Sequence, residues 1–270
     1  MRLNIQHKTV YRYEDAPIFS AQVFRLTPRT NISQHVLRWR IDTVGSLSAW
    51  TDAFGNACHT LVIDDPPDLL EITARGEVVT SDVNGVLPRE SGELPLEVFL
   101  RQTDQTEPDE AIVDFAEDHR APLEANRLDG LHALMGAIGD RVEYETGKTD
   151  VTSTAVEAFA AGHGVCQDQA HIFMSIAREL GVPTRYVSGY LYDGEQAAPH
   201  VAGHAWAESW VDGLGWVSFD VSNCKSATDR YVGLAVGLDY DTACPIRGVR
   251  TGGAEDEALE VFIQIGANQQ

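Results

Sequence analysis

The sequence predicts a two-part α+β protein: a β-sandwich over residues 1–100, then helices packed on an antiparallel sheet over residues 101–270. Three observations carry this reading. Apolar and polar residues alternate with a period of two through the first 82 positions, Gly, Pro and Ser then break all periodicity from 83 to 105, and the apolar spacing beyond is helical. With 270 residues, 43% of them hydrophobic, the chain has material for a large core.

In the first strand Leu3, Ile5, His7, Thr9, Tyr11 and Tyr13 share one face, and Arg2, Gln6, Lys8 and Arg12 the other. Leu37, Trp39 and Ile41 alternate with Arg38, Arg40 and Asp42, and Leu70, Ile72, Ala74 and Val78 with Glu71, Thr73, Arg75 and Glu77. Residues 52–56 form a turn before a strand from Cys58 to Ile63; short strands divided by turns suit a sandwich. Residues 83–105 are expected to be a linker. Thr106 with Pro108 predicts a helix start, and its apolar stripe (Ile112, Val113, Phe115, Ala116) stops before Pro122. Leu128, Leu131, Leu134, Met135 and Ile138 predict a second helix, and 153–161 a third.

Twenty basic against 41 acidic residues give a net charge of −21. Nucleic acids and anionic membranes are bound through Lys and Arg, so neither is an expected partner. No apolar run approaches the ~18 residues of a membrane helix. The start, Met1-Arg2-Leu3-Asn4-Ile5-Gln6, has no apolar signal core, which predicts a cytoplasmic protein with reduced thiols. Cys58, Cys166, Cys224 and Cys244 form no C-x-x-C pair, so each is either a small buried residue or a reactive group.

The chemistry concentrates between Gly162 and Asn223. Gly162-His163-Gly164-Val165 delivers Cys166 to the first turn of a helix that buries Ala170, Phe173, Ile176, Ala177 and Leu180 and stops at Gly181. A cysteine there faces unpaired backbone N–H groups, which favour the thiolate and can later hold an oxyanion. Residues 203–210 and 216–220 form strands around the turn Asp212-Gly213-Leu214-Gly215. Pairing Trp210 with Trp216 puts His204 and Asp220 on one face within side-chain reach. A carboxylate beside an imidazole orients it and raises its basicity, as a thiol-activating base requires. His200-x-x-x-His204 has the spacing of helical metal ligands, but Pro199 and Gly203 favour a strand, so neither metal nor cofactor is expected.

Gly164-Val165-Cys166-Gln167-Asp168, Gly203-His204-Ala205-Trp206 and Gly215-Trp216-Val217-Ser218-Phe219-Asp220 resemble the transglutaminase-like superfamily of papain-type cysteine enzymes, its bacterial members above all. His7-x-Thr9-x-Tyr11-x-Tyr13, Leu26-Thr27-Pro28-Arg29 and Asp52-x-Phe54-Gly55-Asn56 are similar to the N-terminal region of those proteins, and 235–249 to their C-terminal end. Gln169 departs from a usual aromatic, Val221 from a proline and Leu238 from an arginine, while Cys244 interrupts an apolar stretch. The resemblance implies a papain-like core with Cys166, His204 and Asp220 as catalytic triad.

The expected activity is acyl transfer through a thioester, with hydrolysis of a peptide or isopeptide bond ahead of glutamine transamidation or deamidation. A non-catalytic protein-binding module on the same fold is the competing class. A protein or peptide is the expected partner. Gln167, His163 and Trp206 are candidates for the oxyanion site or substrate groove, His171 for a structural hydrogen-bond donor, and Cys224 for a structural thiol.

Overall fold

The computed structural model describes residues 1–90, 92–194, 203–253 and 257–267. The chain begins with β1 (Arg2–Tyr13), β2 (Phe19–Thr27), β3 (Gln34–Asp42), β4 (Leu47–Thr51), β5 (Ala57–Asp64) and β6 (Leu69–Thr80), then the two-residue β7 (Val86–Leu87). Next come α1 (Glu110–Ala125), α2 (Arg127–Arg141), β8 (Glu143–Tyr144), α3 (Ala155–Ala161), β9 (His163–Gly164) and α4 (Cys166–Glu179). β10 (Thr184–Leu191), β11 (His204–Val211), β12 (Gly215–Phe219), β13 (Tyr231–Gly237), α5 (Tyr240–Ala243), β14 (Ile246–Thr251) and β15 (Glu257–Ala267) complete it.

Two four-stranded antiparallel sheets, ordered β15-β1-β6-β3 and β14-β2-β5-β4, form the sandwich. Phe24, Leu26 and Leu61 of one sheet pack on Ile72 and Ala74 of the other. The alternation that predicts β1 and β6 is the alternation of burial in them. Both sheets are completed by strands from the far end of the chain, which a division at residue 100 assigns to the other unit. β15 runs the length of β1, from Leu3 opposite Ala267 to Tyr13 opposite Glu257.

The remaining antiparallel sheet has the order β13-β10-β11-β12-β7. α4 lies across one of its faces with α1, α2 and α3 around it, so every residue from Gln167 to Arg178 is buried. Two sequence expectations fail nearby. α1 is capped by Asp109, which accepts from the Ile112 N–H at 3.0 Å, while the Thr106 hydroxyl accepts from Thr103 and the buried Arg178. α1 also continues through the exposed Pro122, which forfeits one solvent-facing bond, because Leu123 in the next position is buried.

The expected linker is instead a strap. β7 pairs with β12, the Phe99 ring stands edge-on to Trp216 at 5.0 Å, and Glu93 accepts from Trp216 Nε1 and Arg185. Its Gly and Pro residues abolish periodicity, but Leu87 and Phe99 remain as isolated apolar anchors.

The opposite face of the sheet rests on the sandwich through Tyr190, Val232 and Leu234 against Leu3, Ile5, Val78 and Ile263. Side-chain amides seal the outer edge of β13. Gln34 donates to the Gly233 carbonyl and accepts from its N–H, both at 2.8 Å, and Asn56 treats Val236 identically, also at 2.8 Å. Asn56 is held by Asp52, which accepts from its backbone N–H and side-chain amide; this explains the Asp52-x-Phe54-Gly55-Asn56 motif. Asn56→Ala strands two backbone groups of β13 and should lower stability by about 2 kcal/mol. An unshifted urea midpoint would show that water replaces the amide without loss.

Candidate active site

Cys166 opens α4. Ahead of it α3, started by a capping box at Thr154 and ended by Gly162 in left-handed backbone (φ 73°), hands the chain to β9. The Asp168 carboxylate accepts from the Val165 N–H and the Thr149 hydroxyl, each at 2.7 Å. A Cβ on Gly164 would lie 2.7 Å from that of Asp168, so the approach requires glycine. Helix geometry leaves the first N–H groups of α4 without intrahelical acceptors, beside the half-buried Cys166.

His204 is the first residue of β11, and Asp220 follows β12 across the hairpin. Trp210 stands opposite Trp216 in the register, as the sequence predicts, and His204 Nε2 meets Asp220 Oδ2 at 2.7 Å. With Nε2 on Asp220, Nδ1 is the nitrogen of the same imidazole left to face Cys166, whose charge acts on His204.

Asp220 is fully buried. Its Oδ2 also accepts from the Tyr231 hydroxyl at 2.6 Å and the Asn223 side-chain amide at 2.8 Å, and Oδ1 from the Asn223 N–H at 3.3 Å. Burial pushes the carboxyl pKa up, yet donation from His204, Tyr231 and Asn223 holds it below the ordinary aspartate value. For His204 burial opposes the charge, but the hydrogen bond to Asp220 and the charges of Asp220 and Cys166 prevail and lift its pKa to about 9.

Two family models fit this chain in succession. Residues 114–221 match the transglutaminase-like superfamily, and residues 3–79 match the bacterial transglutaminase-like N-terminal region. Residues 114–221 are thus a transglutaminase-like core, preceded by a bacterial transglutaminase-like N-terminal region. An uncharacterized protein of Mycobacterium leprae is 29% identical over 98% of each chain. One of Mycobacterium tuberculosis is 27% identical over 98% of this chain and 92% of its own. In fold, the chain superposes with a TM-score of 0.80 on a crystal structure from Cytophaga hutchinsonii described as a "putative cysteine protease", at 19% identity, covering all of this chain and 91% of that one.

This transglutaminase-like site brings Cys166, His204 and Asp220 together and leaves other candidates apart. Trp206 is 3% exposed, its ring 6.1 Å from that of His204 and 5.4 Å from that of Tyr231, so it backs the imidazole and presents no surface to a substrate. Gln167 is buried and spends its amide on the Val151 carbonyl at 3.1 Å, tethering the segment before α3. His163 is half-buried in β9. His171 accepts from the Tyr240 N–H through Nε2, where the sequence reading made it a donor; burial lowers its pKa to about 4 and keeps it neutral. Cys224 is exposed in left-handed backbone, not a buried structural thiol. Gln169, at the position where an aromatic is usual, accepts from Ser222 and donates to the Val142 carbonyl, tying the turn after Asp220 to α2. His200 lies outside the described residues.

Tyr231 and Asn223 were missed by sequence reasoning. For Asn223 a signal existed, since Asp-x-x-Asn places an amide over the carboxylate in a tight turn. Tyr231 reaches Asp220 from β13, which β10 and β11 separate from β12, a proximity that no local pattern encodes.

Because the folded pKa of His204 lies above its free value of 6.5, the imidazole–carboxylate pair adds stability that is complete below about pH 6.5 and fades as pH rises through about 9. Proton NMR of the His204 ring should therefore give a midpoint near 9, and a lower one in Cys166→Ala, where one of the charge-favouring partners is gone. A midpoint at 6.5 in the native protein would contradict the assigned couplings.

Proposed function

We propose that the protein is a cysteine hydrolase that cleaves peptide or isopeptide amide bonds through a thioester. The observation that carries the reading is the half-buried Cys166 at the start of α4, acting by its charge on a His204 that is hydrogen-bonded to a buried Asp220 with three further donors. The likeness in fold to a protein described as a "putative cysteine protease" supports it.

In this mechanism the thiol proton rests on His204, whose raised pKa keeps the imidazole protonated at neutral pH, and Cys166 Sγ attacks the amide carbonyl as the thiolate. Backbone N–H groups at the start of α4, that of Cys166 first, stabilise the oxyanion. The imidazolium passes its proton to the leaving amine, and the C–N bond breaks to leave a thioester. Water, deprotonated by His204, then releases the acid and regenerates the thiol. Asp220 stays ionised throughout and compensates the imidazolium charge. An amine in place of that water would give transamidation by the same steps. Cys58, Cys166, Cys224 and Cys244 are all free thiols, in keeping with a reducing compartment such as the cytoplasm.

Cys166→Ala should abolish turnover of a labelled amide panel while circular dichroism and melting stay native, and comparable turnover would remove Cys166 from the mechanism. Asp220→Asn should fold but lose two to four orders of magnitude in rate. Limiting iodoacetamide tests the nucleophile independently of substrate. It should label Cys166 ahead of Cys58 and Cys244, which are buried with raised pKa values, and ahead of the exposed Cys224, with at least tenfold slowing in His204→Ala. Equal labelling of Cys224 would indicate that exposure alone governs reactivity.

A further inference from the structure

Beside Cys166 lies a backbone edge that the chemistry above does not use. β8 and β9 form a two-stranded parallel sheet in which Tyr144 stands opposite Gly164, two residues before the nucleophile. The Glu143 N–H donates to the Gly162 carbonyl and the Glu145 N–H to the Gly164 carbonyl, both at 2.9 Å. Backbone groups alternate along a strand. The N–H and C=O of Tyr144, between those two residues, therefore point away from β9, and no described residue pairs with them.

Tyr144 is 51% exposed, and partial burial together with the charges of Cys166 and Asp220 raises its phenol pKa. The backbone beyond it is anchored, since Gln167 holds Val151 and Asp168 holds Thr149. A free donor–acceptor pair, rigidly mounted beside a thiol, is one rung of a sheet awaiting a strand. Exposed edges invite unwanted pairing, and here the strand is two residues long and its outward-facing Tyr144 is flanked by Glu143 and Glu145, which limits it to a short partner.

We infer that the acyl donor is an extended polypeptide segment that adds to the free edge of β8, pairing one of its residues with the N–H and C=O of Tyr144 so that its carbonyl lies over Cys166. This rests on the reading of Cys166 as nucleophile and adds the substrate class: a strand of main chain, recognised through its backbone, and not a compact amide. Tyr144 is then a positioning residue whose main chain, more than its hydroxyl, does the binding.

Chloromethyl ketones test this without knowledge of the natural substrate. In each, Sγ displaces chloride to form a thioether, and the thiol proton leaves through His204 to solvent. Acetyl-tetra-alanine chloromethyl ketone should alkylate Cys166 at least tenfold faster than acetyl-alanine chloromethyl ketone, read by intact mass. Methylating the four probe amide nitrogens one at a time should abolish that advantage at a single position, the residue opposite Tyr144. Tyr144→Pro, which removes the outward N–H, should reduce the tetrapeptide rate to that of the single-residue probe. The inference is overturned if the longer probe is no faster, or if methylation has no effect at any position. Those results count against the strand alone as long as iodoacetamide still selects Cys166 in the native protein; loss of that selectivity refutes the nucleophile and the strand together.

Discussion

One buried anion organises this structure. A carboxylate removed from water is costly unless donors replace its hydration, and Asp220 has His204, Tyr231 and both nitrogens of Asn223. Those donors come from β11, from the start of β13 and from the turn after β12. Satisfying Asp220 therefore fixes three pieces of backbone against one another. Through Ser222 and Gln169 the same turn is tied to α4, so the spacing between thiol and imidazole follows from how the carboxylate is solvated.

The sandwich participates in that arrangement at one remove. Tyr231 heads β13, and two positions further on Gln34 clamps Gly233, with Asn56 clamping Val236 beyond it. Side-chain amides supply here what a neighbouring strand would supply, a donor and an acceptor at each free rung. The sheet edge is thereby paired without being extended, and the strand carrying the Tyr231 hydroxyl is located by the front half of the chain. The buried contact between His7 Nδ1 and the Tyr190 hydroxyl at 2.9 Å adds a polar register mark inside an otherwise apolar interface.

Much of this was legible in the residues themselves. Period-two alternation marks β1 and β6 because one face of each is buried, and the Trp210–Trp216 hairpin register brings His204 to Asp220 by strand geometry alone. Glycines at 162 and 164 and the cysteine after them announce the start of α4. What escaped depends on partners distant in sequence. The strap over β12 holds by single anchors such as Phe99, whose partner Trp216 is more than a hundred positions away. Pro122 sits inside α1 because the burial of Leu123 outweighs a local preference. Trp206, with an aromatic signature suited to a groove, is buried by Tyr231 and by the missing side chain of Gly189.

The return of β14 and β15 to the front sheets bears on how the molecule comes into being. During synthesis β1 and β2 leave the ribosome long before the strands that cover their outer edges, and nearly the whole chain must emerge before Leu3 meets Ala267. Pairings of such separation are slow to form, and until they do the front strands present open, aggregation-prone edges. The helices around α4 and the β10–β12 meander involve shorter separations and can assemble first. The last strands thus act as a closing seam, and a nascent chain stalled before residue 246 would hold its site-bearing sheet beside a sandwich missing one strand from each layer.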